Sequence, residues 1–143
     1  MGKETEYKLE VGDLQLLDCI LCSEPVASRM QAPFAYIRMQ TTYYDTEDGL
    51  LEKNRWMLRL RTENERSVIT APLRLSEKTS CTLCGDLGEL TGGGKKELLC
   101  ELELELQAGE EADVQAFAKT LAERFHLHEQ PRSKLQRARA LTQ

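Results

Sequence analysis

The sequence predicts an α+β fold built on an antiparallel sheet, and three observations lead to this prediction. Segments with the two-residue alternation of β-strands occupy most of the chain up to residue 107. Two amphipathic segments with helical spacing close the chain, and strands followed by helices favour antiparallel pairing. The chain has 143 residues, 41% of them hydrophobic, and contains no long linker, so we expect a single domain over residues 1–143.

The first part of the chain predicts a strand, a helix and a second strand. Residues 4–11 alternate between charged and apolar types, which is typical of a strand with one buried face. Asp13 can cap a helix over residues 14–21, whose leucine and isoleucine side chains share one face. Residues 35–45 are rich in aromatic and β-branched types and predict a strand, and residues 45–49 predict a turn.

The middle of the chain predicts three further strand segments. Residues 56–62 alternate, residues 63–66 are expected to turn the chain, and residues 67–70 form a short β-branched segment. Residues 71–86 are weakly patterned, although residues 79–83 could form a strand. Residues 98–107, with the sequence LLCELELELQ, are the clearest strand of the chain.

Two helices are predicted at the end of the chain. Residues 110–126 carry apolar side chains at helical spacing. Ser133 follows Pro131 and can cap a short helix that ends near Leu141.

Charge and hydropathy exclude several classes of function. The formal net charge is −5, whereas a general binder of DNA or of anionic membranes would normally be basic. No apolar run is long enough to cross a bilayer, and residues 1–10 lack the apolar core of a signal peptide. We therefore expect a cytoplasmic protein with no DNA or membrane partner.

The five cysteines suggest a zinc site as one alternative. Cys19, Cys22, Cys81 and Cys84 form two C-x-x-C pairs, and Cys100 is the fifth, so the odd count argues against a closed disulfide framework. The 58 residues between the pairs exceed the usual spacing of zinc ligands. Cys19 and Cys22 also lie in an amphipathic run, where a cysteine can serve as a small apolar residue.

Charged residues that are nearly all of one sign are concentrated on one face of each of three strands. Because side chains alternate along a strand, residues two apart share a face. By this rule the same-face charged sets are Glu4, Glu6, Lys8 and Glu10 in the first strand, Arg59 and Arg61 in the third, and Glu101, Glu103 and Glu105 in the strand at 98–107.

Two interpretations of these charged faces stay open. A solvated sheet face needs no function, but neighbouring like charges repel, so single-signed sets cost stability unless a ligand neutralises them. Carboxylate clusters suit a hard divalent cation such as Mg²⁺ or Mn²⁺, and arginine pairs suit phosphate. Together they are the groups that would bind a polyphosphate.

Five motifs in the same order resemble the CYTH domain, the family of triphosphate tunnel metalloenzymes. Each is weak alone. They are Glu4-x-Glu6-x-Lys8, the segment QTTYYDT at residues 40–46, the segment LRLR at residues 58–61, Asp86-x-Gly88 followed by Glu101-x-Glu103, and Ser133-Lys134-x-x-Arg137. The last resembles the bacterial inorganic triphosphatase branch.

The resemblance implies an antiparallel β-tunnel with helices packed outside and a charged interior. It implies a divalent-metal-dependent hydrolase of inorganic triphosphate or a related organic triphosphate. The implied metal ligands are Glu4, Glu6, Asp86, Glu101 and Glu103, with Mg²⁺ or Mn²⁺ as the cofactor. Glu4, Glu6 and Lys8 would be catalytic, and the implied phosphate-binding residues are Lys8, Arg59, Arg61, Lys134 and Arg137.

The chain departs from the family in its middle. The family's T-x-K lysine and R-x-E strand are absent after Thr70, and Arg74 is the candidate to replace part of the lost positive charge. We therefore expect a shortened or open tunnel, or a homodimer that pairs through the sheet edge at residues 67–74. A polyphosphate- or nucleotide-binding module with little hydrolysis and a class IV-type adenylate cyclase are the alternative functions.

Overall fold

A computed structural model of the chain describes residues 5–44 and 58–141, with the side chains of residues 39–44, 58–66 and 135 not included. Glu4, the predicted turn at residues 45–49 and the first two residues of the predicted third strand lie outside the described residues.

Six antiparallel strands form one sheet in the order β2-β3-β4-β5-β1-β6. Their bounds are β1 Glu6–Glu10, β2 Ala35–Tyr44, β3 Leu58–Arg74, β4 Ser80–Gly92, β5 Lys95–Ala108 and β6 His128–Glu129. The predicted α+β class with an antiparallel sheet is confirmed. Within the described residues β2 and β6 are the two edges and do not pair, so the sheet is not closed.

Within residues 5–44 and 58–141, four helices accompany the sheet: α1 Leu14–Leu21, α2 Glu24–Ala27, α3 Glu111–Phe125 and α4 Lys134–Ala140. The predicted caps are confirmed, because the Asp13 carboxylate accepts the backbone N–H of Gln15 and Ser133 forms a capping box with Gln136. No helix in the described ranges is long and apolar enough to span a membrane.

The core lies between the apolar face of the sheet and the helices α1 and α3. Strand side chains such as Leu9, Leu83 and Leu102 meet helical side chains such as Leu17 and Leu121 there. All five are at most 5% exposed. The alternation seen in the sequence therefore assigns the apolar face correctly, and it leaves the charged residues on the opposite face.

One expectation for the middle of the chain is wrong. No turn occurs at residues 63–66, because β3 continues through them. Met39 pairs with Arg66 whereas Gln40 pairs with Thr62, so three extra residues of β3 lie opposite one step of β2. The polar, turn-like residues that suggested a chain reversal lie in this strand irregularity instead. The weakly patterned residues 71–86 are largely strand, and the possible strand at residues 79–83 is part of β4 from Ser80 onward.

Residues 67–74 are not an edge of the sheet. Ser67–Thr70 pair with β2 on one side and with β4 on the other. Beyond them, Gln31 N donates to Pro72 O at 2.9 Å, and Arg74 N donates to Arg29 O at 2.8 Å. The expected free edge is therefore filled by β2 and the segment before it. A homodimer through these residues would need unpaired backbone groups that they do not offer.

Candidate functional site

Two neighbouring rows of the sheet bring acidic residues together on its charged face. In the first row Asp86 of β4 pairs with Glu101 of β5, which pairs with Glu10 of β1. In the next row Glu103 of β5 stands between Cys84 and Lys8. Residues directly opposite each other on antiparallel strands share a face, so pairing alone places these carboxylates side by side.

Three of these acids form a compact and largely buried group. One carboxylate oxygen from each of Asp86, Glu101 and Glu103 lies within 4.8 Å of the others. Asp86 is 3% exposed and Glu101 is fully buried. Charged side chains are rarely buried unless they are paired or coordinate a metal, so this group needs a cation.

Two basic side chains of α4 contact the acids. Lys134 Nζ lies 3.1 Å from Asp86 Oδ2, 2.9 Å from Glu101 Oε1 and 2.8 Å from Glu103 Oε1. Arg137 Nη1 donates to Glu101 Oε2 at 3.0 Å. These two residues are three apart on a helix and therefore project from one face. Both are expected from the resemblance to contact phosphate; in the structure they contact carboxylates.

Charge and burial shift the pKa of two groups around the site. Burial lowers the pKa of Lys134, but attraction to Asp86, Glu103 and Glu101 outweighs this effect and holds its pKa well above the usual range. Burial, together with the charge of Glu103, raises the pKa of Glu6. Glu6 lies on the same face of β1 as Lys8, the partner of Glu103, which places it beside the acidic group.

The other predicted site residues lie at different distances from this group. Lys8 occupies the row of Glu103, and its ammonium donates to the carbonyl of Arg132 at 3.2 Å. Arg59 and Arg61 lie on β3 opposite Tyr43 and Thr41, and their side chains are outside the described part.

Arg74 is not brought to the acidic group. It lies six residues along β3 from Val68, the partner of Asp86, which corresponds to about 20 Å of strand. Its guanidinium donates instead to the carbonyls of Ser76 and Glu77 in the turn before β4. The expectation that Arg74 replaces a lost basic residue of the site therefore finds no support in its position.

Glu10 belongs to the site, although the sequence motifs omit it. Its Oε2 lies 3.5 Å from Arg137 Nη1 and accepts a hydrogen bond from Gln130 Nε2 at 3.1 Å. The alternation of β1 already places Glu10 on the face of Glu6 and Lys8, so that pattern could have identified it. No local sequence pattern identifies Gln130, because the path of the chain after α3 brings it next to β1.

The donor set fits a divalent cation in its chemistry but is spaced for an ammonium. Carboxylate oxygens are the preferred ligands of Mg²⁺ and Mn²⁺. Acceptors around a tetrahedral ammonium at hydrogen-bond distance lie about 4.7 Å apart. Neighbouring ligands of an octahedral Mg²⁺ lie about 3.0 Å apart. Asp86, Glu101 and Glu103 could therefore hold a metal once their carboxylate oxygens had moved more than an ångström closer to one another.

The cysteines do not provide a second metal site in the part of the chain that the structure describes. The acidic group is the one cluster of potential ligands found there. All five thiols are free; Cys19 and Cys22 are exposed on α1, whereas Cys81 and Cys100 are buried. The expected packing role of Cys19 and Cys22 as small apolar residues is therefore wrong.

Comparison with known proteins adds no family to this geometry. No protein-family model matches the chain, and a search of curated proteins finds no match.

Proposed function

We propose that the chain is a divalent-metal-dependent hydrolase of inorganic triphosphate or of a related organic triphosphate. The observation that carries the proposal is the buried carboxylate group of Asp86, Glu101 and Glu103 on the charged face of the sheet. Mg²⁺ or Mn²⁺ is the cation class that this donor set suits.

The charge balance of the site supports a requirement for added cations. The acids Asp86, Glu101, Glu103 and Glu10 contact the bases Lys134 and Arg137, and these six groups together carry a net charge of −2 if all of them are ionised. A polyphosphate would be repelled by such a surface. A bound divalent cation would neutralise phosphate oxygens and lower the pKa of a water molecule.

Different residues of the site would bind the cation and the phosphates. Asp86, Glu101 and Glu103 would hold the cation, and the burial of Asp86 and Glu101 keeps bulk water from weakening that attraction. Lys8 lies beside Glu103 and could contact a phosphate if its ammonium left the Arg132 carbonyl. Glu4, Glu6, Arg59 and Arg61 keep the roles that the family resemblance implies, as part of this proposal.

A binding module with little hydrolysis is the second candidate, and two observations favour it. The sheet is open among the described residues, so a bound phosphate chain would be more exposed to water than in a closed tunnel. Arg74 lies far from the acids, so at least one expected basic contact is missing. Loss of a charge-assisted contact costs roughly 1.5–3 kcal/mol, which would slow hydrolysis strongly.

Phosphate release tests the proposal directly. Tripolyphosphate, ATP and thiamine triphosphate are incubated with the protein in Mg²⁺, in Mn²⁺ and in EDTA. We expect metal-dependent release that Glu101→Gln abolishes. Glu97→Gln is the matched control, because Glu97 is an exposed residue of the same strand.

The outcomes separate the candidate functions. Tripolyphosphate binding measured by calorimetry without phosphate release would identify the binding module. Cyclic AMP formed from ATP would identify a cyclase. If the protein shows no binding and no turnover in any of these metals, the proposal is refuted.

A further inference from the structure

The ammonium of Lys134 occupies the place where a metal would bind. It lies at 2.8–3.1 Å from all three carboxylates that could act as ligands. A cation coordinated by Asp86, Glu101 and Glu103 would fall on the same point between them. Two positive charges cannot share that point, because their repulsion grows steeply at short distance.

We propose that Lys134 is a displaceable internal cation, and that a divalent metal enters the acidic group only by expelling it. This inference rests on the proposed metal dependence of the function. The Lys134 side chain then acts as an autoinhibitory cap on the site, carried by helix α4. The expelled ammonium is left beside the metal, where it can bind a phosphate oxygen, as the family resemblance implies for this residue.

The contacts of α4 suit a cap that can be released. Lys134 is the first residue of the helix, so its side chain can swing away while the helix stays in place. Arg137, one turn later, holds the helix through the second oxygen of Glu101 and through Glu10. A metal on Glu101 Oε1 would leave the contact of Oε2 with Arg137 intact.

The closed arrangement also leaves donors unsatisfied. Arg137 is 4% exposed, and its Nε and Nη2 atoms are buried without a hydrogen-bond partner among the described residues. Buried donors without acceptors are costly, so a ligand that offered acceptors to these two donors would gain binding free energy there. The edge formed by Nε and Nη2 is the one that arginine uses for bidentate contact with an oxyanion. This second observation points to a ligand at the site, in addition to the acids.

The affinity for Mn²⁺, measured by calorimetry, tests the competition. If the capped state holds nine-tenths of the molecules or more, Lys134→Met should bind Mn²⁺ about tenfold tighter or more. Lys8→Met is the electrostatic control, since it removes the same charge beside Glu103 without removing a group bound to all three acids. We expect a much smaller change for Lys8→Met.

Acylation of the wild-type protein provides a second readout that needs no variant. The Lys134 side chain is 16% exposed, whereas that of Lys119 is 76% exposed. Mass spectrometry of lysine acylation should show Lys134 labelling rise when Mn²⁺ saturates the site, with Lys119 labelling unchanged.

The outcomes keep this inference and the proposed function apart. Tight binding by Lys134→Met but none by the wild type would support the cap and refute metal-dependent turnover in the wild type. Equal binding by both, with Lys134 labelling unchanged, would overturn the cap and leave the proposed function intact. No binding by either protein would overturn both. If Lys134→Met fails to fold, unchanged Lys134 labelling in Mn²⁺-saturated wild type is sufficient to overturn the cap.

Discussion

Replacing Lys134 with methionine should destabilise the metal-free protein far more than replacing one of the acids it contacts. The substitution keeps the length of the side chain and removes its charge. It makes the net charge of the four acids and two bases more negative, from −2 to −3. It also leaves fully buried Glu101 with Arg137 as its one basic contact among the described side chains. Glu103→Gln instead reduces the net charge to −1, and its amide oxygen can still accept a hydrogen bond from Lys134.

The magnitude follows from the distances. An ion pair at 2.9 Å contributes about 6 kcal/mol at an effective dielectric constant of about 20, and Lys134 forms three such pairs. The cost of removing the charges from water offsets most of this gain, so loss of one partner of a buried pair typically costs about 3–5 kcal/mol. That loss is a large part of the 5–15 kcal/mol by which domains are usually stable. For Glu103→Gln we expect about 1 kcal/mol or less, because relief of acid repulsion compensates the lost pair.

Urea denaturation in EDTA at neutral pH measures the difference. With a typical slope of about 1–3 kcal/mol per molar urea, a loss of about 3–5 kcal/mol in Lys134→Met should move the midpoint down by about 1–5 M. Lys119→Met is the matched control, since that exposed lysine pairs only weakly with Glu123 at 4.0 Å. If Lys134→Met costs no more than Lys119→Met, the ion pairs of the acidic group contribute nothing, and the reasoning is refuted.

Three further predictions concern metal binding, alkaline pH and one turn. Millimolar Mg²⁺ or Mn²⁺ should raise the melting temperature by mass action, and Glu101→Gln should blunt this rise while Glu97→Gln should not; no response to metal or chelator in the wild type would contradict the metal site. Burial raises the pKa of Cys81 from 9.0 to about 11, so the unfolded chain loses this proton first as pH rises. The contribution of Cys81 to the free energy of unfolding should therefore be fully present below about pH 9 and fall by about 2–3 kcal/mol towards pH 11. The urea midpoint of Cys81→Ala should fall less than that of the wild type between these two pH values. Gly109→Ala should lower the urea midpoint strongly, because the backbone has φ +97° and an added Cβ would collide with the backbone of Lys78 and Thr79, whereas Gly94→Ala meets no neighbouring atom and should cost only its backbone strain.

Local rules predicted the parts of the fold that depend on neighbouring residues. The alternation in residues 98–107 identifies β5 and its acidic face, and Asp13 and Ser133 mark the starts of two helices. Each of these features is decided within one strand or one helical turn, where side-chain parity and capping dominate. They therefore appear in the sequence without knowledge of the rest of the chain.

Long-range pairing decided the features that the sequence analysis missed. The polar residues 63–66 resemble a turn, but the pairing of β3 with β2 on both sides of the irregularity keeps them in one strand. The same pairing covers residues 67–70, so the expected sheet edge does not exist. No local pattern states which strand a segment will pair with, because that choice depends on the summed contacts of the whole sheet.

The docking of α4 on the charged face alters what the acidic pattern implies. Single-signed carboxylates on one face suggested an external cation, since like charges repel unless something neutralises them. Lys134 and Arg137 supply two internal cations, so acidic clustering alone does not require a metal. A metal is favoured by the burial of Asp86 and Glu101 and by the excess of four acids over two bases among the six described groups. Apolar or neutral residues at these positions would give a stable sheet face without the free-energy cost of burying charges.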